Sequence, residues 1–148
     1  MVYSPHPPYE ILSNRLLEFE TVHRLRRFSR YWDMLGNSGN FVESVELVWA
    51  NTASAFWSFW EWSDWLFERE QRQHGISLVK LSERLFEFLT LRRDLAEQSV
   101  AEVLWRDYTR IGRHDRPHFL RRFELPNVVR RRPSITAPDR QARHLTSD

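Results

Sequence analysis

Three acidic residues, Glu61, Asp64 and Glu68, fall three and four apart inside an aromatic stretch, AFWSFWEWSDWLFERE, at Ala55–Glu70. On a helix that spacing brings carboxylates onto one face, and an apolar wall around them would raise their pKa values toward the range of acid–base work. Such chemistry also needs a nucleophile, a phosphate-cradling loop or a third polar group, and no motif for one accompanies them. With Arg69 and Arg72 close in sequence, the acids read as the one wet stripe of the helix. His114 and His118, four apart and flanking Asp115, have a metal-binding spacing for a helix, but Pro117 lies between them. That segment reads as a solvated loop without a third ligand. His74 precedes Gly75, where an imidazolium would sit favourably at a helix C-terminus. There is no cysteine, so this chain alone can hold no disulfide, iron–sulfur cluster or thiolate zinc site. No residue is assigned a catalytic, cofactor-binding or metal-ligating role.

The other chemistry-bearing residues are arginines: Arg24, Arg26, Arg27 and Arg30 in one segment, then Arg121, Arg122 and Arg130–Arg132. Clusters of this kind suit phosphate backbones. Glu18, Glu20, Asp33, Glu43 and Glu46 surround the first cluster, however, and the formal net charge is only +2. The pI of about 9.4 reflects arginine standing in for lysine rather than a nucleic-acid field.

The elements that position these residues read as all-α. Glycine is scarce, at four in 148 residues, and helix formers run long. Val2–Asn14, with Pro5, Pro7 and Pro8, reads as an extended connector arm, residues 1–14. A bundle of about five helices should follow over residues 15–122, and a disordered tail over residues 123–148. The first helix is expected from about Glu18 to Leu35, with Val22, Leu25, Phe28, Trp32 and Leu35 inward, ending at Gly36-Asn37-Ser38-Gly39. A short second helix is expected over Asn40–Ala50. The aromatic helix begins after a Ser54 cap and should end near Gln73. Ser77 caps a helix over Leu78–Leu91, and a last one runs to about Ile111.

The aromatic helix carries four tryptophans and three phenylalanines in sixteen residues, so the other helices should pack around it. Phe56, Phe59, Trp60, Ser63 and Phe67 share one face, and Trp60 is expected in the core. Trp57, Trp62 and Trp65 widen the apolar surface beyond what four modest helices need cover. Leftover tryptophan surface beside arginines is what protein–protein hot spots are made of. The candidate interaction surface is therefore Trp57, Trp62 and Trp65 with Arg26, Arg27 and Arg30.

The lead-in PPYEILSNRLLEF, then RLRRFSRYWDMLGNSGNF, SDWLFE, HGISL, RDYTRIG and RPHFL occur in that order from Pro7 to about Leu120. The set resembles the helical C-terminal domain of unknown function found on cobalamin-binding radical S-adenosylmethionine proteins, often described as iron–sulfur oxidoreductases. The resemblance implies a parent with a cobalamin-binding Rossmann-like domain and a radical barrel. A CxxxCxxC-held 4Fe-4S cluster would there bind and cleave S-adenosylmethionine. This chain has none of those cysteines, so no catalytic residue carries over to it, and neither cluster nor cobalamin has a motif here. What carries over is architecture, with the proline-rich arm leaving the barrel and the helices packing beside it. The chain is thus expected to be a non-catalytic accessory domain whose partners are the parent's barrel and cobalamin domain. The alternative is a free-standing helical interaction protein that binds nucleic acid through its arginines. The N-terminus lacks a signal-peptide pattern and the longest uncharged run is too short for a bilayer, so a cytoplasmic domain is expected.

Overall fold

A computed structural model describes residues 2–3, 11–13 and 18–127. Among the described residues four α-helices make up the bundle: α1 (Phe19–Trp32), α2 (Ala55–Glu70), α3 (Leu78–Leu91) and α4 (Glu97–Arg110). A small antiparallel ribbon, β1 (Val2–Tyr3) with β2 (Ile11–Ser13), lies against α1 through β2. The aromatic helix α2 is central, packing on α1 along one side and on α3 along another, while α3 also packs on α4. Among the described residues no helix is long and apolar enough to cross a membrane.

Local sequence sets most of the boundaries. Ser54 Oγ accepts from the Trp57 amide at 3.3 Å, and Ser77 Oγ from the Lys80 amide at 3.2 Å, so both expected N-caps start their helices. The end of α2 comes earlier than expected. Gln71 takes the left-handed conformation at φ 53°, and its side-chain amide donates to the Phe67 and Glu68 carbonyls at 3.1 Å each. Those bonds satisfy the terminal carbonyls without glycine, and Gly75 turns the loop beyond. Helix α1 widens after Trp32 into a π-helical turn over Asp33–Asn37. A Cβ on Gly36 would stand 2.7 Å from the Trp32 indole, so the ring lies flat on the backbone where only glycine leaves room.

The helix expected over Asn40–Ala50 is replaced by turns and one 3-10 helix, Val45–Val48. Long-range side chains explain the change. Asp107 on α4 is buried, and its carboxylate accepts from the Glu43 amide at 3.1 and 3.2 Å, the Ser44 amide at 2.9 Å and Ser44 Oγ at 2.6 Å. Arg93 Nε donates to the Val48 carbonyl at 2.8 Å and Arg110 to the Gly39 carbonyl at 3.0 Å. Backbone groups that a helix would pair internally are bonded instead to α4 and to the α3–α4 loop.

The folded part also runs past the expected boundary at residue 122. Leu120 is buried, and Phe123 and Leu125 pack against the core. The expected tail beyond Asn127 lies outside the described residues, as do Arg130–Arg132 and most of the expected arm.

Candidate interaction surface

Helix α2 is apolar nearly all round, so its neighbours decide which face is inside. The buried positions are Ser58, Phe59, Trp62, Ser63, Trp65 and Leu66. This is rotated from the expected face of Phe56, Phe59, Trp60, Ser63 and Phe67. Trp60 and Phe67 are half-buried, and Phe56 and Trp57 are 45% and 65% exposed. The result is two aromatic layers on opposite flanks.

The inner layer faces α3. Trp62 and Trp65 stack with ring centroids 5.7 Å apart, and Phe88 meets both edge-on at 5.3 and 5.5 Å. Arg69 closes the layer, its guanidinium 3.6 Å from the Trp65 ring centroid. The indole Nε1 atoms of Trp62 and Trp65 are buried without a hydrogen-bond partner among the described residues. Aromatic packing and apolar burial must offset that cost of about 1–3 kcal/mol per group.

The outer layer faces α1 and then solvent. Phe28 lies 5.1 Å from Phe56, 5.0 Å from Phe59 and 6.0 Å from Trp60, and Trp32 packs edge-on to Phe59 at 5.0 Å. Phe56, Trp57 and Trp60 touch one another at 4.9–5.9 Å. The rings therefore form a continuous sheet from the core to the exposed faces of Phe56 and Trp57.

Beside this sheet lies a charged rack. Arg24 and Arg27 both donate to the Asp64 carboxylate, and Arg24 also lies 4.8 Å over the Trp60 ring. The hydrogen bond to Asp64 raises the Arg24 pKa above its ordinary value, with partial burial opposing. Arg27 is buried, with its guanidinium 4.2 Å over Phe67. One turn on, Tyr31 is buried and donates to the Arg72 carbonyl at 2.6 Å, and burial pushes its phenol up to about 12.

Of the six residues expected to form a surface, Trp57 is exposed, Arg30 is exposed and Arg26 is partly so. Trp62, Trp65 and Arg27 are corrections. The two tryptophans are core because α3 presents Phe88 to them, and Arg27 is drawn inward by Asp64. The acids Glu61 and Asp64 also part company: Glu61 pairs with Arg93 at 3.0 Å beyond α3, whereas Asp64 serves α1. His114 and His118 are exposed, and Asp115 accepts from Tyr108 Oη at 3.0 Å. Among the described residues no group of three or more potential ligands is gathered for a metal.

A family model described as "Protein of unknown function (DUF4080)" matches residues 1–145. The chain belongs to that family. No curated protein and no solved structure matches it. In this DUF4080 chain the residues that the sequence reading missed for the surface are Phe28, Phe56 and Trp60. Helical spacing groups Phe56 and Trp60 with Phe59, but of the three only Phe59 is buried. Nothing in the helix's own residues separates its two flanks; Phe28 and Trp32 on α1 do, each packing edge-on to Phe59 at 5.0 Å.

Proposed function

We propose that this chain is a non-catalytic helical accessory domain that docks through the outer aromatic layer of α2 onto a larger partner. The partner would be the radical barrel and cobalamin domain of a cytoplasmic, cobalamin-binding radical S-adenosylmethionine protein, as the ordered landmarks from Pro7 to Leu120 imply. The observation that carries the reading is the exposure of Phe56 and Trp57, at 45% and 65%, on a helix whose other flank is the bundle core. Large aromatic side chains at the rim of a packed layer lose little conformational freedom on binding and bury much area, which is how hot spots work. A 4Fe-4S cluster of the kind such parents use needs thiolates, and this chain has no cysteine. The cluster does not fit these residues, and no chemical step is assigned to them.

The test is direct binding of the chain to a cobalamin-binding radical S-adenosylmethionine barrel, wild type against Phe56→Ser/Trp57→Ser. The double variant should keep its fold and bind at least about tenfold more weakly, the loss of one hot spot. Unchanged binding, or no binding by either protein, would refute the proposal.

A further inference from the structure

The formal net charge of +2 conceals a segregation along the chain. Residues 18–105 hold ten Lys and Arg against fourteen Asp and Glu, whereas residues 106–122 hold six Arg against two Asp. The bundle is acidic up to the last turns of α4, and the short stretch that follows is basic. Its two aspartates do little to offset the arginines. Asp107 is buried beneath the Glu43 and Ser44 amides and pairs with Arg110 at 3.2 Å. Asp115 is exposed and accepts from Tyr108 Oη at 3.0 Å. Arg113, Arg116 and Arg121 have no carboxylate at ion-pair distance among the described residues.

The fold lays these arginines out in a row. After α4 the chain reverses and runs back along it. Arg113 lies 5.6 Å over the Tyr108 ring, Arg116 lies 5.1 Å over Trp105, and Arg122 meets Glu97 at 2.9 Å. From Tyr108 to Glu97 those contacts step along about 16 Å of helix. Arg121, just past the short 3-10 helix His118–Leu120, is exposed. Trp105 and Tyr108 are buried and stacked at 6.0 Å, so they hold two of the guanidiniums from beneath. Arg116 is tied further by its bond to the Leu125 carbonyl at 3.4 Å. A guanidinium held by its face turns its N–H edge outward, the geometry that suits a phosphate.

Two features choose among anionic partners. Protein interfaces are built round an apolar centre. The exposed large hydrophobic side chains among the described residues are Phe19, Val42, Phe56, Trp57 and Leu91, and none belongs to residues 106–122. Single strands are held by stacking bases on open rings, and the rings here are buried. A fixed row of arginines without either feature matches a duplex backbone, which is held by phosphate contacts alone. We propose that residues 113–121 bind the phosphate backbone of a nucleic-acid duplex, with Arg113, Arg116 and Arg121 as the phosphate contacts. A row of about 16 Å passes about five phosphates of one strand, enough for all three. The site shares no residue with the outer aromatic layer and does not depend on the function proposed above.

The experiment titrates the full chain into a fluorescein-labelled DNA duplex of about 16 base pairs, followed by anisotropy. With three phosphate contacts, affinity should fall about fortyfold between about 50 and about 200 mM salt. Arg113→Gln/Arg121→Gln should bind at least about tenfold more weakly at the lower salt, and its affinity should fall only about fourfold over the same range. Arg30→Gln/Arg92→Gln removes the same charge from exposed positions elsewhere and should bind like wild type. No binding at the lower salt, or an equal loss in both variants, overturns the proposal. So does displacement of the duplex by polyglutamate as readily as by unlabelled duplex, the mark of a site for an acidic protein.

Discussion

Trp57 and Trp62 lie on the same helix, five residues and about 140° apart, and they meet opposite environments. Trp62 is fully buried between Trp65 and Phe88, whereas Trp57 is 65% exposed at the edge of a layer rooted on α1. Neither residue type nor local sequence distinguishes them, since both sit in a run of aromatic and acidic residues. The difference is made by what the neighbouring helices bring. Helix α3 offers Phe88, Leu85 and Leu89, all buried, and closes one flank. Helix α1 offers Phe28 and Trp32, which both pack edge-on to Phe59, while Phe56 and Trp57 stay 45% and 65% exposed. Burial of a tryptophan here is a property of the partner helix.

That comparison can be broken most severely at Trp62. Trp62→Ala should cost about 3–5 kcal/mol, a core-cavity effect, read from denaturant unfolding. A cost under about 1 kcal/mol would mean that the inner layer is not the core. Next comes Gly36→Ala, whose new methyl would meet the Trp32 ring at 2.7 Å. About 1–3 kcal/mol of overpacking is expected, and Trp32→Ala in the same chain should relieve the clash, which a double-mutant cycle would show. Trp60, half-buried in the outer layer, should lose about 1–2 kcal/mol as alanine, between the two extremes. Trp57→Ala should change stability by no more than about 0.5 kcal/mol, because its ring is 65% exposed.

Tyr31 sharpens the picture of the charged side of the bundle. Its folded pKa, about 12, lies above the ordinary phenol value of 10.0. The neutral phenol is thus the form that the fold prefers. Its contribution is fully present below pH 10 and is lost as pH rises from 10 through about 12. Unfolding curves of wild type and Tyr31→Phe should differ by a constant amount below that window, of order 1 kcal/mol for the bond to the Arg72 carbonyl. The difference should change only within it.

Much of the fold was legible because it depends on local rules. The Ser54 and Ser77 caps and the bounds of α3 follow from residues within a few positions. The Asn40–Ala50 segment was not legible, because what overrides its helical pattern is Asp107, more than sixty positions away. Rotation of α2 was not legible either. A helix apolar on most faces has a weak preferred side, and only the placement of Phe88 and Phe28 resolves it. For the surface, aromatic excess correctly pointed to Trp57 but could not exclude Trp62 and Trp65. Charge pattern alone could not tell that Arg27 belongs to Asp64.

The most direct test of the two-layer account is fluorine NMR of the protein carrying fluorotryptophan, with a soluble paramagnetic agent added. Single Trp→Phe variants assign the signals. Trp57 should broaden first and Trp62 and Trp65 last, and the Trp57 signal should become protected when the radical-enzyme barrel is added. A Trp57 signal already shielded in the free chain, or a Trp62 signal that broadens alongside it, would contradict the account.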